Sequence, residues 1–278
     1  MTANDPAGPV LAVFAHPDDE SFSCSGLFTR LRDNGVPVTL VSATRGEAGE
    51  IRGDIDAPQG ELGRVREAEL RAAMAHLGVT DVRFLGYRDS GMRGTPDNQH
   101  PQALMQAPVE EVSAHIVDLL KERRPAAVVT FGQDGIYGHP DHVAIHRATH
   151  AAVLQAGNDP DGWRVAALYF ATAPREQILA RAANVPNSPL ASLSPEELAQ
   201  VGTPVAEITT IFNLTPEELQ RKLAALLAHR SQFGDAAPWS ALPPAEIEAW
   251  LGHEHFVRAS LPWDESLSLT DPIARLTG

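Results

Sequence analysis

The sequence predicts an α/β protein of the Rossmann-like type: a mostly parallel sheet with helices on both faces and a smaller C-terminal subdomain. Three observations lead there. Five apolar, β-branched segments have strand length, amphipathic helical patterns separate them, and strand followed by helix, repeated, calls for right-handed crossovers. Strands covered on both faces read as unbroken apolar runs instead of alternating ones, as these do.

The predicted strands are Val10 to Ala15, Val38 to Ala43, Val82 to Tyr87, Ala126 to Phe131 and Val165 to Ala171. Between them lie helix patterns at Ser25 to Asn34, Glu61 to Leu77, Val109 to Arg123 and Asp141 to Gln155. The polar stretch from Asp89 to Pro108 is a long loop, of the kind more often functional or mobile than idle. From about Pro174 the alternation loosens, so residues 1–173 are expected to form the catalytic unit and 174–278 a subdomain packed on it as one integrated body. Within the latter, Ser194-Pro195 and Thr215-Pro216 each precede two Glu, a helix-start pattern. Leu219, Leu223 and Leu226 form an apolar stripe, with Glu218 and Lys222 expected as an i,i+4 pair on the wet side.

Composition limits the function classes. With 22 Lys and Arg against 36 Asp and Glu, the net charge of -14 repels nucleic acid and anionic membrane surfaces. No apolar run reaches the roughly 20 residues of a membrane span. The single cysteine, Cys24, permits no internal disulfide, and no N-terminal signal pattern is present, so a cytoplasmic protein is expected. Cys24 stands at the start of an apolar helix with no marked His partner and reads as structural. His253 and His255 read as surface imidazoles. A homo-oligomer is compatible with all of this.

Two clusters carry the chemistry. The first strand runs into His16-Pro17-Asp18-Asp19-Glu20, where one imidazole meets three carboxylates. Packed like charges repel unless a cation or a proton neutralises them; the competing reading is a loop in which Asp18 or Asp19 caps a helix. The second cluster, Gly135 to His142, follows the fourth strand and holds Tyr137, His139, Asp141 and His142. In a parallel sheet the strand carboxyl ends share one edge, so His16, Asp19 and His142 are able to converge. Two His and one carboxylate leave a coordination position open, the catalytic pattern for zinc, with ferrous iron or manganese also suited to such donors. His146, one turn beyond His142, is the competing ligand.

His16-Pro17-Asp18-Asp19-Glu20 together with His139-Pro140-Asp141-His142 resembles the PIG-L/LmbE family of zinc de-N-acetylases, over roughly residues 8 to 235. The resemblance implies a Rossmann-like fold, an N-acetylglucosaminyl substrate and metal ligands at His16, Asp19 and His142. It further implies Asp18 as general base, His139 as the histidine that stabilises the transition state, and Asp141 as the carboxylate partner that raises the His139 pKa. Tyr137 fits a phenol donor to the oxyanion, or else an aromatic wall.

Gly46-Glu47-Ala48-Gly49-Glu50 and Arg88-Asp89-Ser90-Gly91-Met92 are similar to the mycothiol-pathway deacetylases and amidases. They bring Glu50 and Asp89 into the candidate substrate site; Arg66 matches a family position that binds substrate hydroxyls or phosphate. On physics alone, Arg66 on a Glu-rich helix is a solvated ion pair and Asp89 a turn former. His229-Arg230-Ser231-Gln232 also resembles the family and is expected to seat the subdomain against the site.

The expected function is hydrolysis of the acetamide of a small N-acetylated sugar conjugate. Amidase action on a thiol conjugate is the near alternative and a nucleotide-binding module the distant one. The module is disfavoured because carboxylates stand where a diphosphate would need amides, and no G-x-S-x-G elbow marks a serine hydrolase.

Overall fold

The computed structural model describes residues 8–52, 55, 57–58, 60–159, 163–182, 194–233, 237–264 and 270–276. Its first half alternates as the apolar pattern requires: β1 (Val10–Phe14), α1 (Asp19–Ser23), α2 (Ser25–Asp33), β2 (Val38–Ser42), α3 (Leu62–Leu77) and β3 (Asp81–Phe84). Next come α4 (Val109–Arg123), β4 (Ala127–Phe131), the one-turn α5 (Gly135–Gly138), α6 (Pro140–Asn158) and β5 (Ala167–Thr172). The C-terminal part adds α7 (Arg175–Ala182), α8 (Pro195–Leu198), β6 (Thr210–Asn213), α9 (Pro216–Ala228), α10 (Arg230–Phe233), α11 (Pro244–Leu251) and β7 (His253–Arg258).

These strands form one seven-stranded sheet in the order β3-β2-β1-β4-β5-β7-β6. β1 to β5 are mutually parallel, and β7 runs antiparallel to both β5 and β6. Every residue of β1, β2 and β4 is buried, which is what helices on both faces demand of a central parallel strand. The order reverses between β1 and β4, and the crevice beyond their carboxyl ends is where such a sheet binds ligands. Both sequence clusters follow those two strands.

The five strands and four helices read from the pattern are present, with ends shifted by up to three residues. The sheet also takes in β6 and β7 from the C-terminal part. β6 has no legible period: of Thr210–Asn213 only Phe212 is buried. The loop from Asp89 to Pro108 is compact, with one-turn 3-10 segments at Pro96–Gln99 and Leu104–Gln106 and an Asn98 amide that donates to the Ser90 carbonyl at 2.6 Å.

The pair expected on the wet side of α9 is instead inside. Lys222 is 1 % exposed and pairs with the fully buried Glu254 at 3.1 Å, while Glu218 meets Arg30 at 2.7 Å and closes a capping box with Thr215. Charge alone placed these residues in water. α9, however, packs against α2 and α3 and has apolar partners on its other side, where Leu219, Leu223 and Leu226 join Trp239 and Leu251. Charges on the covered sides of the helix are buried with it and are matched by carboxylate and guanidinium partners, while Glu217 and Arg221 on the remaining side stay exposed. Glu196 and Glu197 after Ser194-Pro195 have side chains outside the described residues.

Candidate metal and active site

The turn after β1 delivers His16, Asp18 and Asp19, and α6 delivers His142 from its first turn. His16 Nδ1, His142 Nε2 and the Asp19 carboxylate lie 3.2, 3.2 and 3.4 Å from one another. Metal bonds of about 2.0–2.1 Å in tetrahedral array set donors about 3.3–3.4 Å apart. The second nitrogen of each ring explains the orientation. His142 Nδ1 donates to the Gly135 carbonyl at 3.1 Å, and His16 Nε2 donates to Asp141 Oδ2 at 3.1 Å. When both rings are neutral each aims a lone pair at Asp19, which is also an acceptor, and three lone pairs so arranged suit a cation. These residues therefore fit a divalent metal, and the outer partners fix each ring as metal-site histidines require.

The surrounding carboxylates favour a positive charge on this cluster, which a metal or a proton on His16 can supply. Burial disfavours a charged His16, but Asp89, Asp141 and Asp19 outweigh it and raise its pKa well above the ordinary value. Burial alone would raise Asp19, yet the His142 and His16 imidazoles hold it well below the usual carboxylate range. Asp18 goes the other way: burial lifts it to about 6 against the opposing Arg66 guanidinium. Asp18 also carries a left-handed backbone, φ 119°, uncommon for a residue with a side chain and typical of strained functional positions.

The other expected site residues fall in different places. His139 is buried with its ring centroid 4.5 Å from that of His16, and its Nδ1 accepts the Asp141 backbone N–H at 3.2 Å. Its remaining nitrogen, Nε2, therefore carries the proton. Burial, aided by His16 and His142, drives its pKa down to about 2. The Asp141 carboxylate is not the partner of His139: it accepts from His16 Nε2, from the Ser90 N–H at 2.9 Å and from the Ser90 hydroxyl. Lying in the first turn of α6, Asp141 turns this carboxylate to His16. Tyr137, 41 % exposed, stands on the rim of a cavity of about 330 Å³ whose walls include Asp18, Asp19, His142, Phe22 and Trp250.

None of the three residues expected to bind substrate faces that cavity. The Glu50 side chain is 85 % exposed, 3.7 Å from Arg52. Asp89 is buried behind His16, 3.4 Å from Nε2, and accepts from the Gly91 and Ala48 amides. Arg66 is 3 % exposed and pairs with Asp18 at 3.1 Å. The competing ligand His146 turns away from these groups and donates Nδ1 to the Phe131 carbonyl at 2.8 Å. The buried Cys24 thiol is pushed up by burial, as suits a structural position. His253 and His255 are half-buried on β7, and His253 bonds to Asn213.

Sequence reasoning missed three contributors. Ser90 anchors Asp141, and Phe131 stacks on the His142 ring at 3.9 Å with planes 9° apart. Glu20 accepts the Asp18 N–H at 3.1 Å and faces His229 at 3.2 Å, which ties the first cluster to the chain beyond α9. Ser231 in turn donates its N–H and hydroxyl to Glu69 at 2.7 and 2.6 Å. Ser90 and Glu20 each had a signal, standing in motifs beside Asp89 and Asp19, but the motifs alone give neither a role; Phe131 reads only as the end of a strand.

Residues 11–153 match the profile of PIG-L, GlcNAc-PI de-N-acetylase. The chain belongs to the PIG-L family. Among its relatives is the 1D-myo-inositol 2-acetamido-2-deoxy-alpha-D-glucopyranoside deacetylase of Thermobispora bispora, 40% identical over 91% of this chain and 89% of the relative. The enzyme of the same name from Acidothermus cellulolyticus is 40% identical over 89% of this chain and 87% of its own. Among solved structures, the N,N'-diacetylchitobiose deacetylase of Pyrococcus horikoshii superimposes with a TM-score of 0.63 at 20% identity, covering 98% of this chain and 92% of that one. A zinc-inhibited teicoplanin deacetylase reaches 0.57 at 19% identity, covering 91% and 99%. These two likenesses show that the family fold is shared. No described helix is long and apolar enough to cross a membrane.

Proposed function

We propose that this PIG-L family chain is a zinc-dependent deacetylase that hydrolyses the acetamide of an N-acetylglucosaminyl conjugate, releasing acetate and a free amine. The observation that carries the reading is the convergence of His16 Nδ1, Asp19 and His142 Nε2 beside the Asp18 carboxylate at the sheet's switch point. The names of the relatives support a small substrate in which the sugar is joined to inositol.

His16, Asp19 and His142 would hold the metal, which supplies Lewis acidity to an amide carbonyl and acidifies water. Asp18, on the cavity wall, takes the proton from the attacking water and passes it to the leaving nitrogen. The Nε2–H of neutral His139 donates to the oxygen that gains charge, and the Tyr137 phenol is a second donor from the rim. Asp141, held by Ser90, orients His16 and thereby the ligand set.

The test is a panel of N-acetylglucosaminyl inositol, free N-acetylglucosamine and a bulky thiol-conjugate amide, with metal content measured on protein purified without chelator. We expect close to one divalent metal per chain and fastest acetate release from the inositol conjugate. Faster cleavage of the thiol-conjugate amide would make the chain an amidase. Absence of stoichiometric metal, with no gain on adding zinc or iron, would overturn the mechanism.

A further inference from the structure

Asp18 keeps its left-handed backbone, φ 119°, in a turn where a residue with a side chain rarely sits, so its neighbours must hold it there. Its carbonyl accepts the Ser21 and Phe22 N–H groups at 3.0 and 3.2 Å, the ordinary bonds of a helix start. Its own N–H has a less usual partner, the Glu20 side chain two residues on, whose Oε2 accepts it at 3.1 Å. Glu20 is 1 % exposed, and a carboxylate that deep stays in place only where donors surround it.

Two further groups supply them. The Ser21 hydroxyl donates to Glu20 Oε1 at 2.6 Å, which leaves the Ser21 oxygen to accept. His229 Nε2 lies 3.1 Å from that oxygen and 3.2 Å from Glu20 Oε1, both acceptors, so Nε2 carries the proton of the ring and donates to the two of them. His229 is fully buried and its Nδ1 meets no hydrogen-bond partner among the described residues, so the imidazole has no other polar task. The ring arrives from far along the chain. It follows α9, its carbonyl accepts the Gln232 and Phe233 N–H groups at 3.0 and 3.1 Å, and Ser231 is bonded to Glu69 of α3 and to the Arg52 N–H. A residue outside the stretch 11–153 that matches the family profile thus reaches the turn that carries Asp18.

We propose that Glu20 and His229 are a positioning pair: the imidazole fixes the buried carboxylate, and the carboxylate holds the Asp18 amide and with it the backbone that aims Asp18 at the cavity. The role of Asp18 as base rests on the hydrolase reading above; the hold on its amide does not. Without the imidazole the carboxylate keeps two donors, one of them the amide it must hold. A base displaced by about 1 Å loses on the order of 100-fold in rate, while contacts made to substrate elsewhere are unchanged.

The experiment compares His229→Leu, His229→Gln, His229→Asn, Glu20→Met and the double variant Glu20→Met/His229→Leu, reading kcat, KM, metal content and hydrogen exchange at the Asp18 amide by NMR. His229→Leu is expected to lower kcat by about 10- to 100-fold, with KM little changed and metal retained. His229→Gln should recover most of the loss, because its amide nitrogen can stand where Nε2 does; His229→Asn, one carbon shorter, should not. The double variant should be no slower than Glu20→Met, since both changes release the same hold. In His229→Leu the Asp18 amide should exchange at least about 10-fold faster than in the wild type.

Wild-type kcat in His229→Leu, a His229→Gln no better than His229→Asn, or multiplied losses in the double variant would each overturn the proposal. Loss of metal in step with activity would make His229 a support of the ligand set and overturn it as well. If His229→Leu does not fold, the His229→Gln and His229→Asn variants still decide. Amide exchange needs no turnover, so an unchanged rate at Asp18 would sink the pair even if the wild type releases no acetate, a result that would itself count against the hydrolase reading alone.

Discussion

Replacing Lys222 by Met tests whether the charges on α9 are as deeply buried as their placement requires. The ammonium lies 3.1 Å from Glu254 Oε1, and the Glu254 carboxylate also accepts the Gly26 and Leu27 N–H groups at 2.8 and 2.9 Å at the start of α2. Methionine fills a similar volume but leaves a carboxylate with 0% side-chain exposure without its counter-charge. Breaking such a buried pair costs about 3–5 kcal/mol, and the two amides that still serve Glu254 place this case near 3. For a chain of this size that corresponds to a fall in Tm of roughly 6–12 °C.

Denaturant unfolding of the purified protein, monitored by two probes to establish two-state behaviour, gives the free energy directly. Lys222→Met/Glu254→Gln should be more stable than Lys222→Met alone, because the stranded charge is gone while the side chain still offers an oxygen to α2. A loss under about 1 kcal/mol for Lys222→Met would be the behaviour of an exposed pair and would refute the burial argument. Simple addition of the two single effects would refute the pairing.

Asp18 and Asp19 should separate cleanly despite being neighbours. Asp18→Asn is expected to abolish turnover while keeping the metal, and Asp19→Ala to lose the metal; equal metal retention in both, measured by elemental analysis, would dissolve that division of roles. Packing offers an independent check far from the chemistry, since a Cβ on Gly157 would strike the Trp263 ring, whose Nε1 donates to the Val165 carbonyl at 2.9 Å. Gly157→Ala should therefore cost about 1–3 kcal/mol by overpacking, and a variant as stable as the wild type would show that Trp263 yields freely.

The sequence by itself determined the parallel sheet and the placing of His16, Asp19 and His142 at its strand ends, because both are written locally. A strand buried on both faces must be apolar throughout, and Val10–Phe14, Val38–Ser42 and Ala127–Phe131 are. Imidazoles and carboxylates placed directly after such strands must meet at one sheet edge, which made His16, Asp19 and His142 legible although well over a hundred residues separate them.

What tertiary structure alone decided was the partner of each charged group, since partners come from elements remote in sequence. Asp141 turns to His16 and leaves His139 to its backbone amide because α6 starts beside β1. Arg66, on a Glu-rich helix that reads as wet, is buried because two glycines far from α3 leave it a slot. Lys222 and Glu218 are inside because α9 is covered on both sides, and the pattern of one helix records its apolar stripe but not the carboxylates and arginines waiting across from its charges. Periodicity reports how a segment meets the core as a whole; the pairing of individual charges is settled by distances that exist only once the chain has folded.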